Sequence, residues 1–358
     1  MNPRPPPLIL ATVLLGAACS SGASSPADGV GPGPDACTFS NPIGPGQDPW
    51  IVRHDGAYHL VESRDGGIWV YRSEELTAPK RDPVRVWQAP ATGWNRTNIW
   101  APELHVIDGR WYIYYAAGEA GPPYIHQRSG VLQSAGSDPR GPYEDLGMLR
   151  TVDDLADHHV VWAIDLTVER IADQLYAVWS GWEENRDTDR TPQHLYIAEM
   201  SDPWTISSGR VRISSPVEPW ERGTALDLNE GPQFLRRGDD LFIIYSTRES
   251  WLPDYRLGQL RLASPDADPM DPDSWIKTGP VFTRTETVYG PGHNGFAKSP
   301  DGTEDWLVYH AKVDTEPGWN RVIRMQPFGW NADGSPDFGE PVPSGVPLPV
   351  PSGQPCDG

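Results

Sequence analysis

Asp48, Asp165 and Glu230 are the residues with which chemistry could begin. Each carboxylate stands at the head of a strand-like run: Asp48 in QDPWIV, Asp165 in WAIDLTV and Glu230 in LDLNEGPQF. They are 117 and 65 residues apart, so only a fold can bring them together. Taken singly, each has an ordinary explanation: Asp48-Pro49 as a turn, Asp165 as a cap on local backbone, Glu230 as part of the NEGP turn. Taken together they imply a site, because clustered buried like charges are costly unless something requires them. Carboxylates beside neutral, aromatic-rich walls suit cleavage of a glycosidic bond. One carboxylic acid protonates the leaving oxygen while a carboxylate activates water or attacks carbon directly. A third carboxylate can orient that acid and hold its pKa high. The same set also suits a metal ion.

The elements that must position these residues repeat along the chain. QDPWIVRHDGAYHLVES, WAPELHVIDGRWYIYYAA, IDLTVERIADQLYAVWSG, NEGPQFLRRGDDLFIIYST and HNGFAKSPDGTEDWLVYHA share one plan: a strand, a turn with Asp or Gly, and a second strand rich in aromatic and branched residues. Aligned on the turn, their leading positions are Asp48, Ala101, Asp165, Glu230 and His293, at spacings of 53, 64, 65 and 63. A third short run follows each, such as IWVYRS or HLYIAEM. Units of about 60 residues with three or four strands, repeated radially, predict an all-β fold, a five-bladed β-propeller. The second strands are apolar on both faces, as expected of strands sandwiched between neighbouring blades. In a propeller the first strand of each blade lines the central channel, so the five leading positions converge on the axis.

Composition agrees: 16 Trp, 13 Tyr, 36 Gly and 39 Pro in 358 residues favour short strands joined by turns. A net charge of −20 without a compensating Lys/Arg cluster excludes nucleic acid and anionic membrane surfaces as partners and leaves neutral ligands open. Residues 1–18, with the apolar run LILATVLLGAA, read as an export signal, too short to span a bilayer. GAAC followed by Ser-Ser-Gly resembles a bacterial lipoprotein cleavage site, which makes Cys19 a candidate for lipidation and the only expected link to a membrane; an ordinary signal peptide is the alternative. Residues 19–36 read as a flexible tether and 37–358 as the propeller, expected to act as a monomer. Cys37 and Cys356 then remain, 319 residues apart, and in an exported protein are expected to form a disulfide that clasps the ends of the ring.

The blade-leading motifs, Gln47-Asp48-Pro49, Trp100-Ala101-Pro102-Glu103, Trp162-Ala163-Ile164-Asp165, Asn229-Glu230-Gly231-Pro232 and Gly290-Pro291-Gly292-His293-Asn294, resemble those of glycoside hydrolase family 43 from about residue 40 to 342. Within it the chain looks most like the exo-acting α-L-arabinofuranosidases, through IWAPELH, YGPGHNGF and QPFGWNADGSPDFG. The resemblance implies an inverting mechanism on a neutral pentose-containing oligosaccharide, with Asp48 as general base, Glu230 as general acid and Asp165 tuning that acid. It implies that Arg321 binds sugar hydroxyls. It also makes His293 a candidate partner, through water, of a calcium ion in the central channel, an ion the chemistry does not require. Trp100, Trp162 and Ile164 flank the leading positions and are candidates for the sugar wall, with plain packing as the competing role. Leu166 follows Asp165 where relatives often carry Gly, and so puts the local backbone in question. Rival readings are a β-xylosidase, endo-arabinanase or galactan-degrading relative and, in another class, a non-catalytic sugar-binding propeller.

Overall fold

The tight turns fix the first level of structure. His54-Asp55-Gly56-Ala57 and Ile107-Asp108-Gly109-Arg110 place two successive residues at positive φ (47° and 78°; 50° and 76°), the backbone that joins twisted antiparallel strands with a two-residue loop. In the computed structural model, which describes residues 37–356 together with Met1, these hairpins grow into five antiparallel sheets of four or five strands, beside one two-stranded sheet. Among the described residues the only helical segment is one turn of 3₁₀-helix, Pro272–Ser274.

Blade 1 runs Trp50–His54, Ala57–Arg64, Gly67–Ser73 and Val84–Gln88. Blade 2 runs Thr97–Ile107, Arg110–Gly118, Arg128–Ser134 and Tyr143–Met148. Blade 3 has Ala163–Ile171, Gln174–Gly181 and His194–Asp202, its third strand edged by Thr205–Ile206 and Val211–Ser214. Blade 4 runs Asn229–Arg237, Asp240–Thr247, Arg256–Leu262 and Trp275–Phe282. Blade 5 runs Tyr289–Lys298, Asp305–Lys312 and Arg321–Trp330, and its next strand is Gly44–Pro45 from the other end of the chain. The five-bladed propeller expected from the repeat is the fold.

The core follows the blades. There is one apolar cluster at each of the five junctions, including the one between blades 5 and 1. The second strands supply both sides, as their two-faced apolarity requires: Leu175, Ala177 and Trp179 face blade 2, while Tyr176 and Val178 face blade 4. Leu166 is buried in the junction of blades 2 and 3 and does not itself sit at positive φ, so glycine is not needed there.

Three features close the ring. Gly44–Pro45 pairs with Val322 and Ile323, Thr38–Ser40 pairs with Pro347–Pro349, and Cys37 is bonded to Cys356 with their Cα atoms 5.7 Å apart. The disulfide matches the sequence expectation; the two strand pairings were not anticipated, because GP and TFS carry almost no strand signal. The leader, the tether and Cys19 lie outside the described residues.

Candidate active site

Four of the five inner strands carry the same irregularity where they enter the channel. Register shifts fall between Trp100 and Glu103, Ile164 and Thr167, Glu230 and Gln233, and Gly292 and Gly295. The first residue of each bulge is left-handed: Ala101 (φ 40°), Asp165 (54°), Gly231 (54°) and His293 (48°), with Asp48 (47°) just ahead of the blade 1 strand. A bulge re-aims side chains and ends pairing, which is how a strand presents a functional group at a rim. This corrects the sequence alignment by one residue in blade 4. The equivalent of Asp48, Asp165 and His293 is Gly231, and Glu230 occupies the paired position before it, equivalent to Gln47, Trp100, Ile164 and Gly292.

The slip serves the geometry. Asp165 and Glu230 approach the axis from successive positions, and the Gly231 N–H donates to Asp165 Oδ2 at 2.9 Å. A Cβ on Gly231 would lie 3.2 Å from His293 Nδ1, so this residue needs both its positive φ and its lack of a side chain. Gly292, at the Glu230 position of blade 5, leaves room for Tyr255, whose ring would meet a Cβ there at 2.3 Å. The Tyr255 hydroxyl in turn donates to Glu230 Oε1 at 2.9 Å.

Asp48, Asp165, Glu230, Trp100, Trp162, Ile164, His293 and Arg321 all line one cavity of about 630 Å³. The carboxyls within it are held in opposite states. Burial alone would push Asp48 up, but His293 (Nδ1 to Oδ1 3.4 Å), Arg321 (3.3 Å) and His310 (3.2 Å) surround its Oδ1 and hold it well below the usual carboxylate range. Arg321 is fixed by a second bond to Gln47 Oε1 at 2.8 Å. His310 is fully buried and driven down to about 3 by burial and Arg321, so it faces Asp48 as a neutral imidazole. Glu230 is pushed up to about 7 by burial and the Asp48 charge, against the Tyr255 hydroxyl. Burial also raises Asp165, helped by Glu230 and Asp48 and opposed by His293 and the Gly231 N–H.

The wall residues differ in exposure and packing. Trp162 is 3% exposed and stacks on Trp182 at 4.6 Å with parallel planes, so it presents an edge to the cavity and a face to the core. Trp100 is half-buried and meets Tyr124 edge-on. Sequence reasoning missed Tyr255, His310, Trp251 and Trp319. His310 stood in the quoted WLVYHA motif as a polar residue in an otherwise apolar second strand, a signal that could have found it; the others lie on loops without a repeat phase.

Glu103, from the IWAPELH motif, was also missed as a site residue. It is buried, hydrogen-bonded to Gln233 and 2.9 Å from His105 Nε2, and burial pushes it up to about 8. Among the described residues no group of three or more His, Cys, Asp or Glu is arranged to hold a metal. His293 offers nitrogen to Asp48, whereas calcium takes oxygen ligands. The donors do not make a direct calcium site.

The chain is similar to known proteins in sequence and fold. The chain is 35% identical to an extracellular exo-α-(1→5)-L-arabinofuranosidase of Streptomyces avermitilis, over 94% of this chain and 70% of that protein. It is 36% identical to α-L-arabinofuranosidase 43 of Humicola insolens, over 85% of this chain and 63% of that one. The crystal structure of an α-L-arabinofuranosidase from Lactobacillus brevis superposes with a TM-score of 0.78 at 32% identity, covering 86% of this chain and 98% of that one. The pattern of glycosyl hydrolases family 43 matches residues 39–336, the stretch that contains all five blade-leading motifs, and the chain belongs to that family.

Proposed function

We propose that the protein releases terminal α-L-arabinofuranosyl residues from arabinan or arabinoxylan oligosaccharides by a single displacement that inverts the anomeric centre. The observation that carries this reading is the setting of the two carboxyls in one cavity: Asp48 Oδ1 lies within 3.4 Å of His293, Arg321 and His310, which favour its charged form, while burial and the Asp48 charge push Glu230 up to about 7. Asp48 accepts a proton from water as that water's oxygen attacks the anomeric carbon. The glycosidic bond breaks toward the leaving oxygen, which takes the Glu230 proton. Asp165 is raised by burial and by the Glu230 and Asp48 charges, and it stays anchored by the Gly231 N–H, from where it positions that acid. Arg321 and Gln47 present donors and acceptors to hydroxyls, and Trp100, Trp162 and Ile164 form the apolar wall. The names of the relatives support the furanosidic substrate, and the extracellular ones support export, with the residue 1–18 leader and Cys19 anchor as part of the same proposal.

Glu230→Gln keeps the shape and removes the transferable proton. Hydrolysis of the oligosaccharide should fall by about 10³-fold or more in kcat with KM within a few-fold. Unchanged turnover in that variant would sink the mechanism, and faster release from a β-xyloside than from an α-L-arabinofuranoside would overturn the substrate.

A further inference from the structure

A second cavity, of about 360 Å³, meets the first at the general base. The two share Gln47, Asp48, Trp319 and Arg321, but the second touches neither Asp165 nor Glu230. Its mouth is flanked by exposed Arg64 and Asn320, and its inner end is closed by Asp48 and buried Arg321. One wall is braced and polar: Lys80 pairs with Glu62 and donates to the Pro45 carbonyl at 2.9 Å, while Glu62 also accepts from the Tyr71 hydroxyl. At about 30 Å³ per molecule, the space holds on the order of ten waters.

The chemistry assigns a use to a cavity that reaches the base and not the acid. The leaving oxygen must meet Glu230, so the rest of the substrate lies on the side of the first cavity. Single displacement needs its nucleophile on the opposite face of the sugar. A furanosyl residue seated in the first cavity also covers Asp48 from that side. We propose that the second cavity is the route by which the hydrolytic water reaches Asp48 while the sugar is bound, an inference that rests on the inverting reading given above. In each turnover one water oxygen bonds to the anomeric carbon and its proton passes to Asp48. The leaving oxygen keeps the bond pair and takes the Glu230 proton. The same file of water then carries the Asp48 proton out, and Glu230 regains one from solvent.

The test is to fill the route without touching the site. Ser63→Trp occupies the wall and Asn320→Trp the exposed mouth, where folding is least at risk. With an aryl α-L-arabinofuranoside and with unbranched and branched arabino-oligosaccharides alike, kcat should fall about ten-fold or more in at least the Ser63 variant, KM should stay within two-fold, and Ser63→Ala should match the parent. Unchanged kcat in both tryptophan variants overturns the inference. So does a loss confined to branched oligosaccharides with raised KM, which makes the cavity a sugar subsite. The configuration of the first-formed sugar, read by NMR, separates the two layers: a retained product defeats the inverting reading itself, whereas inversion with unaffected kcat defeats the water route alone.

Discussion

Asp48 and Glu230 are both carboxylates at the mouth of one cavity, and what separates their roles is the company each keeps. Asp48 has a guanidinium and two imidazoles around one oxygen; Glu230 has a tyrosine hydroxyl and the Asp48 charge. The proposed mechanism needs Asp48 ionised and Glu230 protonated, so kcat/KM should be level through mildly acidic pH and decline as pH rises through about 7. Arg321→Met removes a cation that holds Asp48 down. Its acidic limb should therefore move up by roughly a pH unit or more toward the ordinary carboxylate range, whatever it does to KM. A limb that stays in place in the pH profile of that variant would show that Arg321 serves the sugar alone. At this scale the residue types were legible in the sequence. Their ionisation was not, since His310 and Arg321 lie 262 and 273 residues from Asp48.

The inner strand is the element that turns a repeat into a site. All five blades place a left-handed residue at the channel, and in four of them a mapped register shift accompanies it. The repeat and its turns were readable from Asp-Gly pairs and alternating apolar residues. The one-residue offset of Glu230 was not, because the carboxylate of blade 4 stands beside the bulged position and not on it, and a shift of one residue reverses the face a side chain takes. Gly231 is where this can be tested. Alanine there must hold φ near +54° and bring a methyl to 3.2 Å from His293 Nδ1. Gly231→Ala should lower stability by about 1–2 kcal/mol in denaturant unfolding and reduce kcat more than it raises KM, as the Asp165 anchor shifts. Wild-type kinetics in a stably folded variant would separate the bulge from catalysis.

At the scale of the molecule, a ring of five junction cores gathers buried acids around one axis, and their protonation should set how stability depends on pH. Glu103 has a folded pKa raised from 4.5 to about 8, and Glu230 and Asp165 are raised as well. For a group raised on folding, the stabilising contribution is complete below the unfolded value and is lost as pH climbs through the folded one. Stability should therefore decline between about pH 4.5 and 8. Glu103→Gln, whose amide can replace the protonated acid between Gln233 and His105, should close much of that gap: its Tm relative to the parent should rise from pH 5 to pH 9. A Tm difference independent of pH would mean that Glu103 is ionised throughout or remains neutral to pH 9. By itself the sequence determined the all-β class, the five units and the blade-leading residues that meet in the cavity, because strand period, turn chemistry and repeat phase are local quantities written along the chain, whereas Arg321 entered through the family resemblance and the disulfide through the export leader. Only the tertiary structure decided that Gly44–Pro45 completes blade 5, that Gly292 makes room for Tyr255 beside Glu230, and that burial raises Glu230 and Asp165 while neighbouring cations hold Asp48 down. Those depend on distances between blades and on how far each charge is removed from water, and neither is encoded in any one segment.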